Sequence, residues 1–144
     1  MMSNHCVYLG LGSNLGNREE NILRAVKKIH ELIGTVECQS ALFDTEPWGF
    51  SSENRFLNAV VRVNTTLSPR QLLDTTKKIE KSLGRKKKSQ TKIGRTVYHD
   101  RIIDIDILLY DDITVDEPDL KIPHPLMYER DFVMIPLQEL LDRE

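Results

Sequence analysis

Apolar and acidic residues alternate in the segment 103–109, which reads Ile-Asp-Ile-Asp-Ile-Leu-Leu. Because strand side chains repeat every two residues, the pattern predicts a half-buried strand, with the isoleucines and Leu109 toward a core and Asp104 and Asp106 on the other face. The two aspartate Cα atoms would be about 6.6 Å apart, close enough for their carboxylates to share a divalent cation. A strand with a solvated acidic face is the equally compatible alternative.

The order of the other elements limits the fold further. Before the acidic strand, the signals run strand 6–11, helix 17–34, strand 36–44, strand 56–65 and helix 68–84. The first helix begins at Asn17 as N-cap and ends at Gly34, whereas the second begins at Ser68 with Gln71 at the third helical position. The resulting βαββαβ order predicts an α+β, ferredoxin-like sandwich, an antiparallel sheet with helices mainly on one face. At 144 residues, the chain is expected to form a single domain, 1–144.

The alternation in the third strand decides which side chains share a face with the aspartates. One set packs under the helices: Leu57, Ala59, Val61 and Val63. The other set points to the opposite face: Phe56, Asn58, Val60 and Arg62. Because Asp104 and Asp106 also avoid the helix side, the pattern predicts that an aromatic ring, an amide and two acids converge on one surface.

Composition and motif content argue against several functional classes of protein. The formal net charge of −2 gives no case for nucleic-acid binding by the whole chain. Cys6 and Cys38 have no metal-ligand spacing and fit a reducing cytosol. No segment has the apolar length of a membrane span and no signal peptide is evident, so a cytoplasmic protein is expected. The P-loop, kinase and Gly-x-Ser-x-Gly motifs are absent from the sequence, so a phosphate would have to be held by other groups.

Two regions offer such groups. The segment 85–101 holds seven Lys or Arg residues and one Asp and leads into the acidic strand. Arginines there suit bidentate contact with phosphate, although a solvated charge run is the commoner meaning. His124 lies between two prolines and is able to donate a hydrogen bond or to be structural. After it come Arg130 and Phe132, the latter a pocket wall or a core residue.

Taken together, these positions resemble the 6-hydroxymethyl-7,8-dihydropterin pyrophosphokinase family of folate biosynthesis. The matching fragments are Gly12-Ser13-Asn14-Leu15, Phe56-Leu57-Asn58-Ala59, Glu80, Gly84-Arg85, Asp104-Ile105-Asp106, Pro123-His124-Pro125, Arg130 and Phe132. Each fragment is weak alone, but their order and spacing through nearly the whole chain are specific. The resemblance implies ATP and 6-hydroxymethyl-7,8-dihydropterin as substrates, and two Mg²⁺ ions. The chain is further expected to be a monomer with neither nucleic-acid nor membrane partners.

The resemblance also implies roles for individual residues. Asp104 and Asp106 would hold the two Mg²⁺ ions between the ATP phosphates and the pterin hydroxyl, as catalytic residues together with the phosphate-binding Arg85 and Arg101. The pterin side would comprise Thr45, Pro47, Phe56, Asn58, Tyr98 and Phe132, with Phe56 and Phe132 sandwiching the ring and Asn58 reading its edge. The ATP side would comprise Glu80, Arg85, Arg101, Ile107, His124 and Arg130.

The expected chemistry is in-line attack of the pterin hydroxyl on the β-phosphorus of ATP, with AMP leaving. No strong general base is evident in the sequence, and two metals would lower the hydroxyl pKa instead. Two alternatives come from other classes. A ligand-binding domain on the same fold would bind without turnover. An RNA-binding sheet would present Asp104 and Asp106 to phosphates, so repulsion disfavours it.

Overall fold

The computed structural model describes residues 3–46, 55–84, 90–92, 95–97 and 102–143, with only the backbone described at 90–92 and 95–97. The strands are β1 (His5–Ser13), β2 (Gly34–Gln39), β3 (Phe43–Thr45), β4 (Phe56–Thr65), β5 (Gln90–Lys92), β6 (Arg95–Val97), β7 (Asp104–Tyr110), β8 (Val115–Glu117) and β9 (Leu120–Ile122). The helices are α1 (Arg18–Leu32), α2 (Pro69–Ser82) and α3 (Asp131–Leu141), with a 3-10 turn at Met127–Glu129.

Five strands form an antiparallel sheet, in which four lie in the order β2-β4-β1-β7 and the fifth, β3, pairs with β4. β3 pairs with the first residues of β4, beside the point where β2 has ended, so that Phe43 is opposite Asn58 and Thr45 is opposite Phe56. Two separate hairpins, β5–β6 and β8–β9, complete the described strands. The predicted mixed fold with an antiparallel sheet and helices is therefore confirmed.

Helices α1 and α2 cover one face of this sheet, as the alternation predicts. Their buried residues share one core with the apolar residues of β1, β4 and β7. The predicted members from β4 are all buried in it: Leu57, Ala59, Val61 and Val63. The predicted helix starts are also confirmed, because the Asn17 side chain accepts from Glu20 N, and Ser68 and Gln71 form a complete capping box.

Helix α3, which the sequence did not reveal, packs on the opposite face. Its Val133, Leu137 and Leu140 form a second apolar cluster with side chains from the sheet. The sheet contributes Tyr8, Val60 and Leu108. An interior proline, Pro136, and an almost continuous apolar run hide this helix from a search for helical periodicity. The second face of the sheet is thus partly buried as well.

The alternation in β7 fails at one point. The pairing between β1 and β7 shifts register between Tyr8 and Leu9, which is a β-bulge. Leu108 packs in the second cluster, as the alternation predicts, but Leu109 packs against the same cluster and Tyr110 returns to the first core. The expectation that Leu109 points to the helix side was wrong because the bulge adds one residue to the period.

The predicted strand 36–44 is two strands rather than one. Between β2 and β3, Ser40 N donates to the Val60 carbonyl and Ser40 Oγ accepts from Val60 N, each at 2.9 Å. The hydroxyl therefore replaces a backbone acceptor at this position, and the strand is interrupted. β3 is the separate segment that reaches the end of the sheet where β1, β4 and β7 carry the candidate site.

Gly34 has a different role from the predicted helix end. α1 ends at Leu32 with Ile33 as C-cap, and Gly34 is the first residue of β2. A Cβ atom on Gly34 would lie 2.0 Å from the carbonyl oxygen of Asn64. Glycine is required there by the close approach of two backbones.

None of the helices among the described residues has the length and apolar character that a membrane span needs.

Gly34→Ala should destabilise the protein by roughly 3 kcal/mol, because backbone atoms of β4 cannot move aside for the added methyl group. Gly10→Ala is the matched comparison, since a Cβ there would be 3.4 Å from flexible Leu108 side-chain atoms, and it should cost less than about 1 kcal/mol. Urea unfolding of both variants measures the difference. Equal free energies of unfolding would contradict the close-approach explanation.

Candidate active site

Two glycines of β1 form the floor of the candidate site. Gly12 pairs with Asn58 of β4 on one side and with Asp104 of β7 on the other. Gly10 pairs in the same way with Val60 and Asp106. Directly paired residues of antiparallel strands point to the same face, so these side chains surround two β1 residues that have no side chains of their own.

A pocket lies above this floor. It is lined by Gly10, Leu11, Gly12, Thr45, Glu46, Phe56, Asn58, Ala59, Val60, Asp104, Asp106, Leu108, Arg130, Phe132 and Val133. The predicted convergence of Phe56, Asn58 and the two aspartates on one surface is thereby confirmed. The first turn of α3 supplies the outer wall through Phe132 and Val133. Arg130, which the resemblance places on the ATP side, also lines this pocket, with its guanidinium carbon 5.7 Å from the centre of the Phe132 ring.

The Asn58 amide has a fixed orientation in this pocket. Its Nδ2 donates to the Phe43 carbonyl at 3.1 Å and to Thr45 Oγ1 at 2.9 Å. A carbonyl only accepts, so the nitrogen must face β3. The other amide atom, Oδ1, lies on the β1 side, where a Cβ on Gly12 would come within 3.2 Å of it. Asn58 therefore turns an acceptor toward the glycine floor.

β3 is held in place by charge as well as by its pairing with β4. Asp44 accepts from Arg18 at 3.2 Å and from Arg55 at 2.8 Å. These guanidinium groups, Arg18 foremost, keep the pKa of the Asp44 carboxyl below its usual range. The two ion pairs join β3 to the start of α1 and to the residue before β4, and so fix the strand that carries Thr45.

The two aspartates are half-buried at the start of β7. The Asp106 carboxylate is 3.9 Å from His124 Nε2. His124 Nδ1 accepts from Leu126 N at 3.3 Å, so a neutral ring carries its proton on Nε2, toward Asp106. No cluster of three or more His, Cys, Asp or Glu residues suited to a metal occurs among the described residues. The carboxylate pair fits Mg²⁺, which takes few protein ligands and fills its shell with water and phosphate oxygens.

Glu80 supports the acidic strand from outside. It is buried, and its Oε2 accepts from the backbone N–H of Ile105 at 2.8 Å. This N–H lies on the outer edge of β7, between the two aspartates in sequence. The resemblance placed Glu80 near the nucleotide, and the structure adds that its carboxylate binds the backbone of the strand that presents both aspartates.

A second pocket adjoins the first. It is lined by Leu73, Ile105, Asp106, Ile107, Pro118, Asp119, Leu120, Lys121, His124 and Pro125. Two residues predicted on the ATP side, Ile107 and His124, therefore lie together, and Ile107 also belongs to the first core. Asp106 lines both pockets. Asp106 is thus at the junction between the two cavities, whereas Asp104 lines the first.

An ion-pair cluster that sequence reasoning missed holds the wall of the second pocket. Arg70 at the start of α2 donates to Asp119 at 2.7 Å and also to Glu117. The guanidinium lowers the pKa of Asp119, and the pKa of Arg70 is raised by Asp119 and then by Glu117. The contacts join the β8–β9 hairpin to α2. Only the opposite charges of Arg70 and Asp119 could have suggested the pair in the sequence.

Several predicted site residues fall outside the described residues. They are Pro47, Arg85, Tyr98 and Arg101. The side chains of the basic segment between Arg85 and Arg101 are likewise not described. Their roles stay predictions.

Comparison with known proteins identifies the family. The family model described as 7,8-dihydro-6-hydroxymethylpterin-pyrophosphokinase (HPPK) matches residues 8–142. A 2-amino-4-hydroxy-6-hydroxymethyldihydropteridine pyrophosphokinase of Porphyromonas gingivalis is 46% identical over 135 residues, which cover 93% of this chain and 89% of that protein. Proteins of the same name from Aquifex aeolicus and Bacillus subtilis are 43% and 38% identical, with 93% and 95% of this chain and 79% and 78% of theirs covered.

Solved structures agree on the fold. A Plasmodium falciparum HPPK-DHPS structure superposes with a TM-score of 0.74 at 17% identity and covers 97% of this chain. An HPPK-DHPS complex with substrates superposes with a TM-score of 0.73 at 13% identity and covers 96%. This chain spans only 42% and 40% of those two chains. The family model and the curated relatives therefore show that the chain belongs to the HPPK family, whose enzymes transfer diphosphate from ATP to 6-hydroxymethyl-7,8-dihydropterin in folate synthesis.

Proposed function

We propose that the two substrates of this reaction meet at Asp104 and Asp106, with the pterin in the glycine-floored pocket and ATP in the pocket beside His124. The observation that carries this proposal is that Asp106 lines both pockets. A group at this junction can contact the phosphates of one substrate and the hydroxymethyl group of the other. Holding both at one point turns a bimolecular step into an effectively unimolecular one.

The pterin pocket has the chemistry that a flat, polar heterocycle requires. Phe56 and Phe132 offer aromatic faces for offset stacking, and Asn58 Oδ1 offers an acceptor for an N–H of the ring edge. Thr45 acts through Asn58, whose amide it orients. Pro47 and Tyr98 complete the proposed ring contacts.

On the ATP side, the proposed contacts come from His124, Ile107 and Arg130. His124 Nε2–H is suited to donate to a phosphate oxygen, and Arg130 supplies a positive charge near the junction. Arg85 and Arg101 are proposed to neutralise the phosphates during transfer. Glu80 is proposed to act through the backbone of β7, which it binds at Ile105.

Two Mg²⁺ ions are proposed at Asp104 and Asp106, where they would neutralise phosphate charge and lower the pKa of the substrate hydroxyl. The two carboxylates would hold them, and the neighbouring arginines and His124 would orient the phosphates. In the proposed reaction the hydroxymethyl oxygen forms a bond to the β-phosphorus of ATP as the bond to the α-phosphate oxygen breaks. AMP leaves, and the hydroxyl proton passes to solvent.

The detailed fold type, the number of domains, the partners and the location of the protein are proposals as well. The strand order β2-β4-β1-β7 supports a ferredoxin-like sandwich, and the core that β1, β4, β7 and β9 share with α1 and α2 supports a single domain, 1–144. A monomer that binds neither nucleic acid nor membranes is proposed as well, and the net charge of −2 supports the part of this proposal that concerns nucleic acid. Cys6 and Cys38 carry thiols that are not joined in a disulfide, which suits the proposed cytoplasmic location.

Incubation with MgATP and 6-hydroxymethyl-7,8-dihydropterin should yield AMP and the pterin diphosphate in equal amounts, because the β-phosphorus is the proposed point of attack. Separation of the nucleotides by chromatography is the measurement. ADP would indicate simple phosphoryl transfer. Binding of both compounds without turnover would favour the non-catalytic alternative.

Asp104→Asn and Asp106→Asn should each reduce kcat at least about a hundredfold, because each removes one charged metal ligand while keeping the shape of the side chain. Asp112→Asn is the matched control, since Asp112 is exposed just beyond the other end of β7. Urea unfolding should give similar stabilities for all three variants. Near-normal turnover in either site variant at saturating Mg²⁺ would remove the metal assignment.

Gly12→Ala should raise the KM for the pterin about tenfold and leave the KM for ATP within about twofold. The added Cβ would lie 3.2 Å from Asn58 Oδ1 and 3.6 Å from the Phe56 ring, and so would cover the acceptor on the pocket floor. Steady-state kinetics with each substrate varied in turn separates the two constants. A parallel increase in both would point to a general loss of structure instead.

A further inference from the structure

Helix α3 has contacts at both of its ends that concern the pterin pocket. Its first turn contributes Phe132 and Val133 to the pocket wall. Glu139 follows Phe132 by seven residues, or two helical turns, and therefore lies on the same side of the helix. The buried Val133, Leu137 and Leu140 form the adjoining side, against the sheet. One side of α3 thus connects the pocket wall with Glu139.

Glu139 contacts the link between β2 and β3. Its Oε2 and Oε1 accept from the backbone N–H of Ala41 at 3.1 and 3.3 Å. Arg143, one turn further along, donates to Glu139 Oε2 at 2.6 Å, to the Gln39 carbonyl at 3.3 Å and to Cys38 Sγ at 3.3 Å. We call Glu139 and Arg143 with these backbone partners the α3 latch.

The link that the latch holds leads directly into the opposite wall of the pocket. Ala41 is four residues before Thr45, whose hydroxyl accepts from the Asn58 amide. Between them, Phe43 supplies the carbonyl that also fixes that amide. A displacement at Ala41 would therefore be transmitted within a few residues to both groups that orient Asn58.

We propose that Glu139 is a positioning residue for the pterin pocket, because the α3 latch sets the separation between the Phe132 wall on α3 and the Thr45–Asn58 wall on the sheet. This inference rests on the proposed function of that pocket. Glu139 touches no substrate in this scheme. The contact that matters is its bond to the Ala41 N–H, since the pair with Arg143 is exposed and such pairs contribute little by themselves.

Helix stability alone is the competing role for Glu139, and α3 offers a matched control for it. Gln138 Nε2 donates to Asp142 Oδ1 at 2.8 Å, a contact with the same i, i+4 spacing as the Glu139–Arg143 pair. The Gln138 contact remains within α3 and its cap. If Glu139 acted only by stabilising the helix, Gln138→Ala and Glu139→Ala would have similar effects on the pocket.

The test compares Glu139→Ala, Glu139→Gln and Gln138→Ala in the full chain. Glu139→Ala should raise the KM for 6-hydroxymethyl-7,8-dihydropterin about tenfold, as expected for loss of a charge-assisted hydrogen bond, and should change the KM for ATP less than about twofold. Glu139→Gln keeps an acceptor for the Ala41 N–H and should remain within about threefold of the unmodified chain. Gln138→Ala should leave both constants unchanged.

Direct titration with 6-hydroxymethylpterin, followed by the fluorescence of its ring, gives the pterin affinity without turnover. It keeps the latch testable even if the chain proved to bind without catalysing, so the two proposals can fail separately. If Glu139→Ala does not fold, Arg143→Leu removes the support of the carboxylate and should weaken pterin binding about threefold. An unchanged pterin affinity in the folded latch variants, or equal weakening by Gln138→Ala, would overturn the proposal.

Discussion

The absence of side chains on β1 at Gly10 and Gly12 is the constraint on which the candidate site depends. These residues pair with β4 on one side and with β7 on the other, so they lie between the amide and the acids. A Cβ at Gly12 would enter the space beside Asn58 and Phe56, and one at Gly10 would meet Leu108. At these two positions only backbone forms the floor, and side chains from β3, β4, β7 and the start of α3 surround it among the described residues.

Sequence periodicity predicted the central architecture because β1, β4 and β7 each bury one face under α1 and α2. That constraint made the parity of β4 and β7 readable, and with it the shared face of Phe56, Asn58, Asp104 and Asp106. Parity failed at Leu109, where the register of two paired strands shifts, which is a property of the pair and not of either strand alone. Sequence periodicity also gave no sign of α3, because Pro136 interrupts the apolar run of this helix.

The residue types of the site were predictable from the sequence, whereas the orientations of their side chains and their hydrogen-bond partners were less so. The orientation of Asn58 depends on the Phe43 carbonyl, a backbone group that no residue type encodes. Glu80 binds a backbone N–H in a strand 25 positions further along, and Arg70 meets acids 47 and 49 positions away. Such long-range partners are set by topology. The family resemblance named Glu80, but only the three-dimensional structure shows that its carboxylate binds the Ile105 N–H.

The shared position of Asp106 between the two pockets has a thermodynamic consequence. Whatever binds in one pocket and changes the surroundings of this carboxylate also changes the free energy of binding in the other. Linkage requires that the effect be equal in both directions, so that the factor by which one ligand alters the affinity for the second is also the factor by which the second alters the first. Two neighbouring cavities that share one charged wall therefore form a single coupled binding unit.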